Sequence, residues 1–341
     1  MSKRRVTITD IAEKLNISAS TVSRALHNHP AIKKETKKAV QKLAKKLNYY
    51  PNQQALSLLH KKTNLIGIII PEITSHFFSS IITGIQDIIV DTDYNVIISP
   101  TDESYENEVA IVENFIKIGI DGLLVSPSSS TKKIKHFKKI KKRGIPIVVF
   151  DRDCPGLKVD KVLVDDYDGA LQAVEYLIKS GCKSIAHIGG PLNLSTSKHR
   201  LDGYLDALRK NNIPVKEEYI IHATGFLHED GILPSRSLLN LKDRPDAIFA
   251  VNDCLAIAAM HEAKKLNFSI PNDISIIGFD DEPHSSYFTP ALSTIWQPVY
   301  SIGMLSARIL LSHLEGSENA PKIRREIFKS ELIIRASSRN I

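Results

Sequence analysis

The sequence predicts an α/β protein: two doubly wound α/β lobes forming a clamshell, preceded by an all-α head. Three observations carry that expectation. Residues 1–62 read as short amphipathic helices and hold 14 Lys plus Arg against 3 Asp plus Glu. From residue 63 the chain alternates apolar runs of strand length with helical stretches, as parallel sheets covered on both faces do. Near residue 163 the same alternation begins again.

The head is justified element by element. Thr7-Ile-Thr-Asp10 can cap a helix to about Leu15, with Ile8, Ile11, Ala12 and Leu15 on one face. Asn16 and Ile17 break it. Ser18 caps a second helix, Ala19 to Leu26, whose Val22, Ala25 and Leu26 can face the first. After Asn28 and Pro30 a third helix runs roughly from Lys34 to Leu47. Three short helices can share one small core, and the tight link between the first two is that of a helix-turn-helix.

In that geometry the second helix enters the major groove by its N-terminal end. Ala19 and Ser20 would meet base edges, and Arg24, one turn on, could reach guanine or a phosphate. Thr21 and Ser23 suit phosphate contacts, which position the head without reading sequence. The alternative is a three-helix module that docks protein. Beyond it, Asn52 can cap a helix starting at Gln53, too short to be stable alone. Such a helix would order when paired with its dimer mate or with DNA, and its leucines offer wedges for the minor groove.

In the body, apolar runs at 65–70, 95–99, 122–125 and 145–150 alternate with helical stretches near 79–91, 104–118 and 131–143. The second lobe follows with helices near 167–180, 198–211, 229–240 and 253–266, and strands near 184–188, 219–223, 247–251 and 274–279. The expected division is a DNA-binding head at 1–50, a hinge helix and linker at 51–62, and a body at 63–341. Lobe one takes 63–163 plus 294–327, and lobe two takes 164–293 plus 328–341.

A chain of 341 residues exceeds one ordinary core, and 43% hydrophobic content suits a folded, soluble protein. Its start lacks the apolar stretch of a signal peptide, and no apolar run reaches the roughly 18 residues that span a bilayer, so the expectation is cytoplasmic with no membrane partner. Cys154, Cys182 and Cys254 are odd in number and far apart, which suggests neither disulfides nor zinc. The whole chain is +7, so residues 63–341 carry −4. A basic head on a mildly acidic body suits a polyanion partner for the head.

Ligands of such clamshells sit beyond the carboxyl ends of the strands. There the sequence places Phe77 and Phe78, Asp151 and Arg152, Arg200, Asn252 and Asp253, Asp280 and Asp281, with Gln297 in the crossing region. Carboxylates, amides and guanidinium groups beside aromatic rings match the hydroxyls and C–H faces of a sugar. Singly, each could be an ordinary loop cap. Enzyme readings are weak: there is no Gly-x-Ser-x-Gly elbow, no phosphate loop and no metal-spaced histidine cluster. Gly189-Gly190-Pro191 is too short for a nucleotide loop, and His187 reads as a core residue.

Thr9-Asp-Ile-Ala12, Ser20-Thr-Val-Ser-Arg24, Asn48-Tyr-Tyr-Pro-Asn52, Asn252-Asp253, Ile277-Gly-Phe-Asp-Asp281 and Thr294-Ile-Trp-Gln-Pro298 closely resemble the lactose/galactose repressor family over almost the whole chain. The resemblance implies a cytoplasmic repressor that binds pseudo-palindromic operator DNA as a dimer and bends it with paired hinge helices. It implies a body like the periplasmic sugar-binding proteins, with no cofactor beyond a small-molecule effector. Ala19, Ser20 and Arg24 match base-reading positions, and Leu58 matches the leucine inserted at the operator centre. Leu56 stands where many members have Arg after the hinge alanine, here Ala55, and Lys33 where a Ser often caps the third helix.

Phe77, Phe78, Asp151, Arg152, Arg200, Phe226, Asn252, Asp280 and Gln297 resemble ribose contacts of that family's ribose-responsive branch, implying D-ribose or a related pentose. Ser75 and His76 depart from that branch's Asn and Pro. Thr196 resembles a pocket-edge residue of purine-responsive relatives, whose aromatic clamp is not evident. The alternatives are a co-repressor-dependent regulator, one assisted by a phosphocarrier protein, or a sugar-binding receptor or enzyme. Eleven residues at 331–341 do not make the leucine-heptad helix of tetrameric members, so a homodimer is expected.

Overall fold

The structure, a computed structural model, describes residues 6–49, 62–316 and 323–341. It separates into two compact units, 1–63 and 64–341. Expected features at Asn52, Ala55, Leu56 and Leu58, the hinge helix among them, lie outside the described residues.

In the first unit α1 (Ile8–Leu15) begins with a capping box between Thr7 and Asp10 and ends at Asn16, whose left-handed backbone stops the helix. Helix α2 (Ala19–Leu26) is capped by Ser18, and α3 (Lys34–Lys46) starts at Lys33 without a side-chain cap. The three bury Ile11, Ala12, Val22, Ala25, Val40 and Ala44 together. Burying these few side chains is what fixes the angle between α1 and α2.

The second unit holds two parallel sheets. Lobe one orders its six strands as β11-β5-β4-β3-β1-β2, with β1 Leu65–Ile70, β2 Asn95–Pro100, β3 Gly122–Val125, β4 Ile147–Phe150, β5 Asp160–Val164 and β11 Arg325–Phe328. Its helices are α4 (His76–Ile89), α5 (Tyr105–Ile118), α6 (Lys135–Lys142) and α11 (Val299–Leu314). Helices α4 and α11 cross at mutual glycines: a Cβ on Gly84 would come within 2.2 Å of the Tyr300 carbonyl, and one on Gly303 within 2.1 Å of that of Ile81. Their backbones therefore touch directly.

Lobe two orders four strands as β7-β6-β8-β9, with β6 Ile185–Gly189, β7 Ile220–His222, β8 Ala247–Ala250 and β9 Ser275–Ile277. Its helices are α7 (Asp166–Lys179), α8 (Ser195–Lys210), α9 (His228–Leu239) and α10 (Asp253–Lys265). His187 is fully buried, stacked between Tyr204 and Phe249.

Two differences from expectation concern the seam. Strand β5 is an additional lobe-one strand; its Asp160-Lys161 start hides it among polar sequence, although Val162 to Val164 are buried. The segment from 294 does not join lobe one as a whole. Strand β10 (Thr294–Trp296) pairs antiparallel with β12 (Glu331–Ile333), and Ile295 is buried in the lobe-two core. The chain thus crosses between lobes three times, at Asp165, at Gln297-Pro298 and at Lys329-Ser330. Among the described residues no helix is long and apolar enough to cross a membrane.

Candidate functional site

Two surfaces gather the expected residues. On the head, α2 turns Val22 and Ala25 inward, which leaves Ser20 and Arg24 exposed one helical turn apart. The Ser18 hydroxyl lies 2.8 Å from those of both Ser20 and Thr21 and also accepts the Thr21 amide. Ala19 packs partly against the head core, and Thr21 and Ser23 are half-buried flanking positions. The helix end that sequence assigns to base edges is thus hydroxyl-lined, with one cation on the same face.

In the body, lobe one supplies Asp151 and Arg152 at the carboxyl end of β4. Asp151 has a left-handed backbone (φ 62°) and accepts a hydrogen bond from Ser126 Oγ at 2.9 Å. Burial pushes its carboxyl up to about 6, against the pull of Arg152. The Arg152 guanidinium forks onto both Glu103 oxygens at 2.9 Å and donates to the Pro127 carbonyl. It also lies 5.4 Å from the ring centroid of Phe226, across the seam in lobe two. Glu103 in turn accepts the Ser129 amide, and Arg152 holds its carboxyl below the usual range despite burial.

Lobe two answers with Arg200 on α8. Two of its nitrogens meet Asp166 Oδ1 at 2.8 Å, a third donates to the Val251 carbonyl, and the guanidinium lies 3.6 Å from the Phe279 ring centroid. Asp280 Oδ1 is 3.4 Å from Arg200 Nη1 and accepts from Gln297 Nε2 at 2.7 Å. Burial raises the Asp280 carboxyl well above its ordinary value, although Arg200 opposes it. Asn252 caps α10 and donates to the Phe226 carbonyl at 2.9 Å. Phe226 lies against Gly190, where a Cβ would come within 2.5 Å of its ring. Thr196 is buried in the first turn of α8.

The aromatic pair divides. Phe78 is 5% exposed and packs in the lobe-one core, while Phe77 is only half-buried, its ring meeting Phe78 edge-on. A cavity of 170 Å³ lies beside Asp151 and Asp166, lined also by Tyr167, Ser195, His199 and Arg325. Another of 570 Å³ adjoins Gln297, with His76, Ser80, Thr83, Trp296 and Tyr300.

Sequence reading missed Glu103, Ser126, Asp166 and Phe279. Asp166 stands in the first turn of α7 and Glu103 shortly before α5, places where an acid carries no local signal. Both hold an arginine that the sequence did single out. Asp253 does something different from its neighbour Asn252. Fully buried, it accepts from Ser285 Oγ and Thr294 Oγ1 at 2.6 Å and from the Glu282 amide at 2.9 Å, tying α10 to β10.

The comparisons agree with this division. Residues 7–52 match the family described as bacterial regulatory proteins, lacI family, and residues 174–338 match the periplasmic binding protein-like domain. The protein named "Probable HTH-type transcriptional repressor ExuR" of Bacillus subtilis is 38% identical, over 98% of this chain and 99% of its own. The lac repressor bound to ONPG in its repressed state superposes with a TM-score of 0.85 at 25% identity, over 98% of this chain and 100% of its own. A LacI family transcriptional regulator from Enterococcus faecium with bound ribose gives 0.69 at 28%, over 80% and 98%. With a relative this similar along nearly its whole length, the chain belongs to the lacI family of bacterial regulatory proteins, DNA-binding transcriptional regulators rather than enzymes.

Proposed function

We propose that the chain is a homodimeric, sequence-specific repressor whose hold on a pseudo-palindromic operator is released when a neutral sugar, D-ribose or another pentose, occupies the cleft between its lobes. The observation that carries this reading is the pair of buried arginines. Arg152 is held by Glu103, and Arg200 by Asp166 and Asp280, at the seam where Phe226 provides an apolar face; the half-buried Phe77 of lobe one is the second aromatic assigned to the ligand. Both guanidinium groups already have carboxylate partners, and Asp151 adds a further acid. A ligand with its own negative charge would meet carboxylates that burial already destabilises. Hydroxyls, which donate and accept, suit the network. The ribose-bound relative supports a pentose. On the head, Ser20 and Arg24 read bases, Ala19 approaches them, and Thr21 and Ser23 contact phosphate. Asn52, Ala55 and Leu58 belong to the hinge contact with DNA.

Calorimetric titration with ribose, other pentoses, hexoses, uronic acids and purines tests the ligand. Operator binding with and without the best ligand tests the sign. Tighter operator binding with ligand would replace this reading by a co-repressor one. Operator binding that tightens only when a phosphocarrier protein is added would point to assisted regulation.

A further inference from the structure

One strongly charged surface lies outside both sites. Residues 131–143 hold Lys132, Lys133, Lys135, Lys138, Lys139, Lys141, Lys142 and Arg143 and not one acid. Helix α6 turns His136, Phe137 and Ile140 inward and its five lysines outward, and Lys132 and Lys133 before it and Arg143 at its end are exposed as well. Lys139 pairs with Glu113, and Lys141 donates to the Lys158 carbonyl. The other six have no ion-pair partner among the described residues. The body is −4 including these eight, so they stand against a surplus of twelve negative charges elsewhere in it. Like charges crowded on two helical turns repel one another, and a solvated face needs no such one-sidedness.

Their place in the fold matters as much as their number. Parallel strands all start at one edge of their sheet. Asn64, directly before β1, accepts the Asn95 amide at 2.8 Å and donates to Asp121 at 2.7 Å. Pro146, before β4, accepts the Leu123 amide at 3.0 Å on the same edge. Helix α6 runs back toward that edge and ends at Lys142 and Arg143, three residues before Pro146. The edge carrying the end of α6 is therefore the one at which the chain from the head joins the body. The C-terminal dipole of α6 favours cations there but accounts for one or two, not eight.

We propose that the basic face of α6 is an auxiliary nucleic-acid surface, which holds the phosphate backbone of duplex DNA outside the stretch gripped by the head. This rests on the head's being the DNA reader. Without sequence readers of its own, the surface adds affinity and salt dependence but no specificity.

The test uses the full-length chain and its variant Lys138→Gln/Lys142→Gln/Arg143→Gln, whose changes are all at exposed positions; equal melting temperatures verify the fold. Affinity is measured against salt on a duplex of about 60 bp carrying a site selected from random sequence by the wild type, and on one of about 16 bp trimmed to that site. Each phosphate that the variant no longer neutralises lowers the slope of log affinity against log salt by about 0.9, so the expected fall is about 1 to 3 on the long duplex. On the short duplex the two proteins should coincide. An unchanged slope on long DNA, or the same fall on both lengths, overturns the proposal; the former outcome would leave the face to an acidic protein. If the wild type selects no site at all, the repressor reading fails, while the slope comparison on long DNA of arbitrary sequence still decides this surface.

Discussion

Asp280 presents one carboxylate oxygen both to Gln297, at 2.7 Å, and to Arg200, at 3.4 Å. Gln297 sits where the chain passes from lobe two back to lobe one, and Arg200 is anchored in lobe two by Asp166. A ligand whose hydroxyl donates to Asp280 therefore competes with a group on the crossing segment itself.

Removing that oxygen should uncouple the sugar from the operator. In Asp280→Ala, Arg200 loses a buried partner and the sugar an acceptor, a loss of about 2–5 kcal/mol in comparable buried charged pairs. Sugar affinity measured by calorimetry should fall accordingly, while operator affinity without sugar stays at the wild-type value. Wild-type sugar affinity in the variant would remove Asp280 from the site.

Arg24 is exposed on the face of α2 opposite the head core. Lysine at this position keeps the charge but loses the planar fork, so Arg24→Lys should cost about 1–3 kcal/mol of discrimination at one base pair if the contact is bidentate to guanine. Competition binding across single-base operator variants measures this. A uniform loss over all variants would put Arg24 on phosphate instead.

Asp253 makes stability depend on pH. Burial pushes its carboxyl up to about 7, against the donors Ser285, Thr294 and Glu282 that hold the ionised form. The folded state then binds a proton that the unfolded chain, titrating near the ordinary carboxylate value, has released. The contribution is fully present below the unfolded value and is lost as pH rises from about 4 to about 7, near 1.4 kcal/mol per pH unit for one group. Asp253→Asn cannot titrate. Its thermal midpoint should therefore fall less than that of the wild type between pH 5 and pH 7, and parallel curves would show that Asp253 does not titrate there.

One helix-turn-helix reads half of a two-fold site, and protein symmetry supplies the other half. Sedimentation equilibrium at micromolar concentration without DNA should return twice the chain mass of 38.0 kDa. A value of one chain would mean that pairing needs the operator, and a value of four would require a further contact between dimers.

How far the sequence reveals these features depends on the distance over which each is determined. Helices α1 and α2 emerge with the bounds expected, because their caps at Thr7 and Ser18 and their apolar spacing are local. Strand β5 was hidden because its burial comes from neighbours on both sides, β4 and β11, the latter more than 160 residues away. The strand-end positions of Asp151, Arg152 and Asp280 were legible from the alternation alone. Their partners were not. Glu103 lies 49 residues from Arg152 and Asp166 lies 34 from Arg200, and no local pattern ties an acid to an arginine at such a distance. Phe78 differs from Phe77 only in the way α4 faces its sheet, which adjacent identical residues do not disclose.

The triple passage of the chain between the lobes makes them one cooperative unit. Neither half is a contiguous stretch that could be excised and refolded by itself. A truncation between Gln297 and Arg325 strips the edge strand β11 from one sheet and the β12 partner of β10 from the other in a single stroke. Each lobe consists of two separate segments, so chimaeras that trade a lobe between relatives must exchange both, and a graft ending at the second passage would leave both recipients with an open seam.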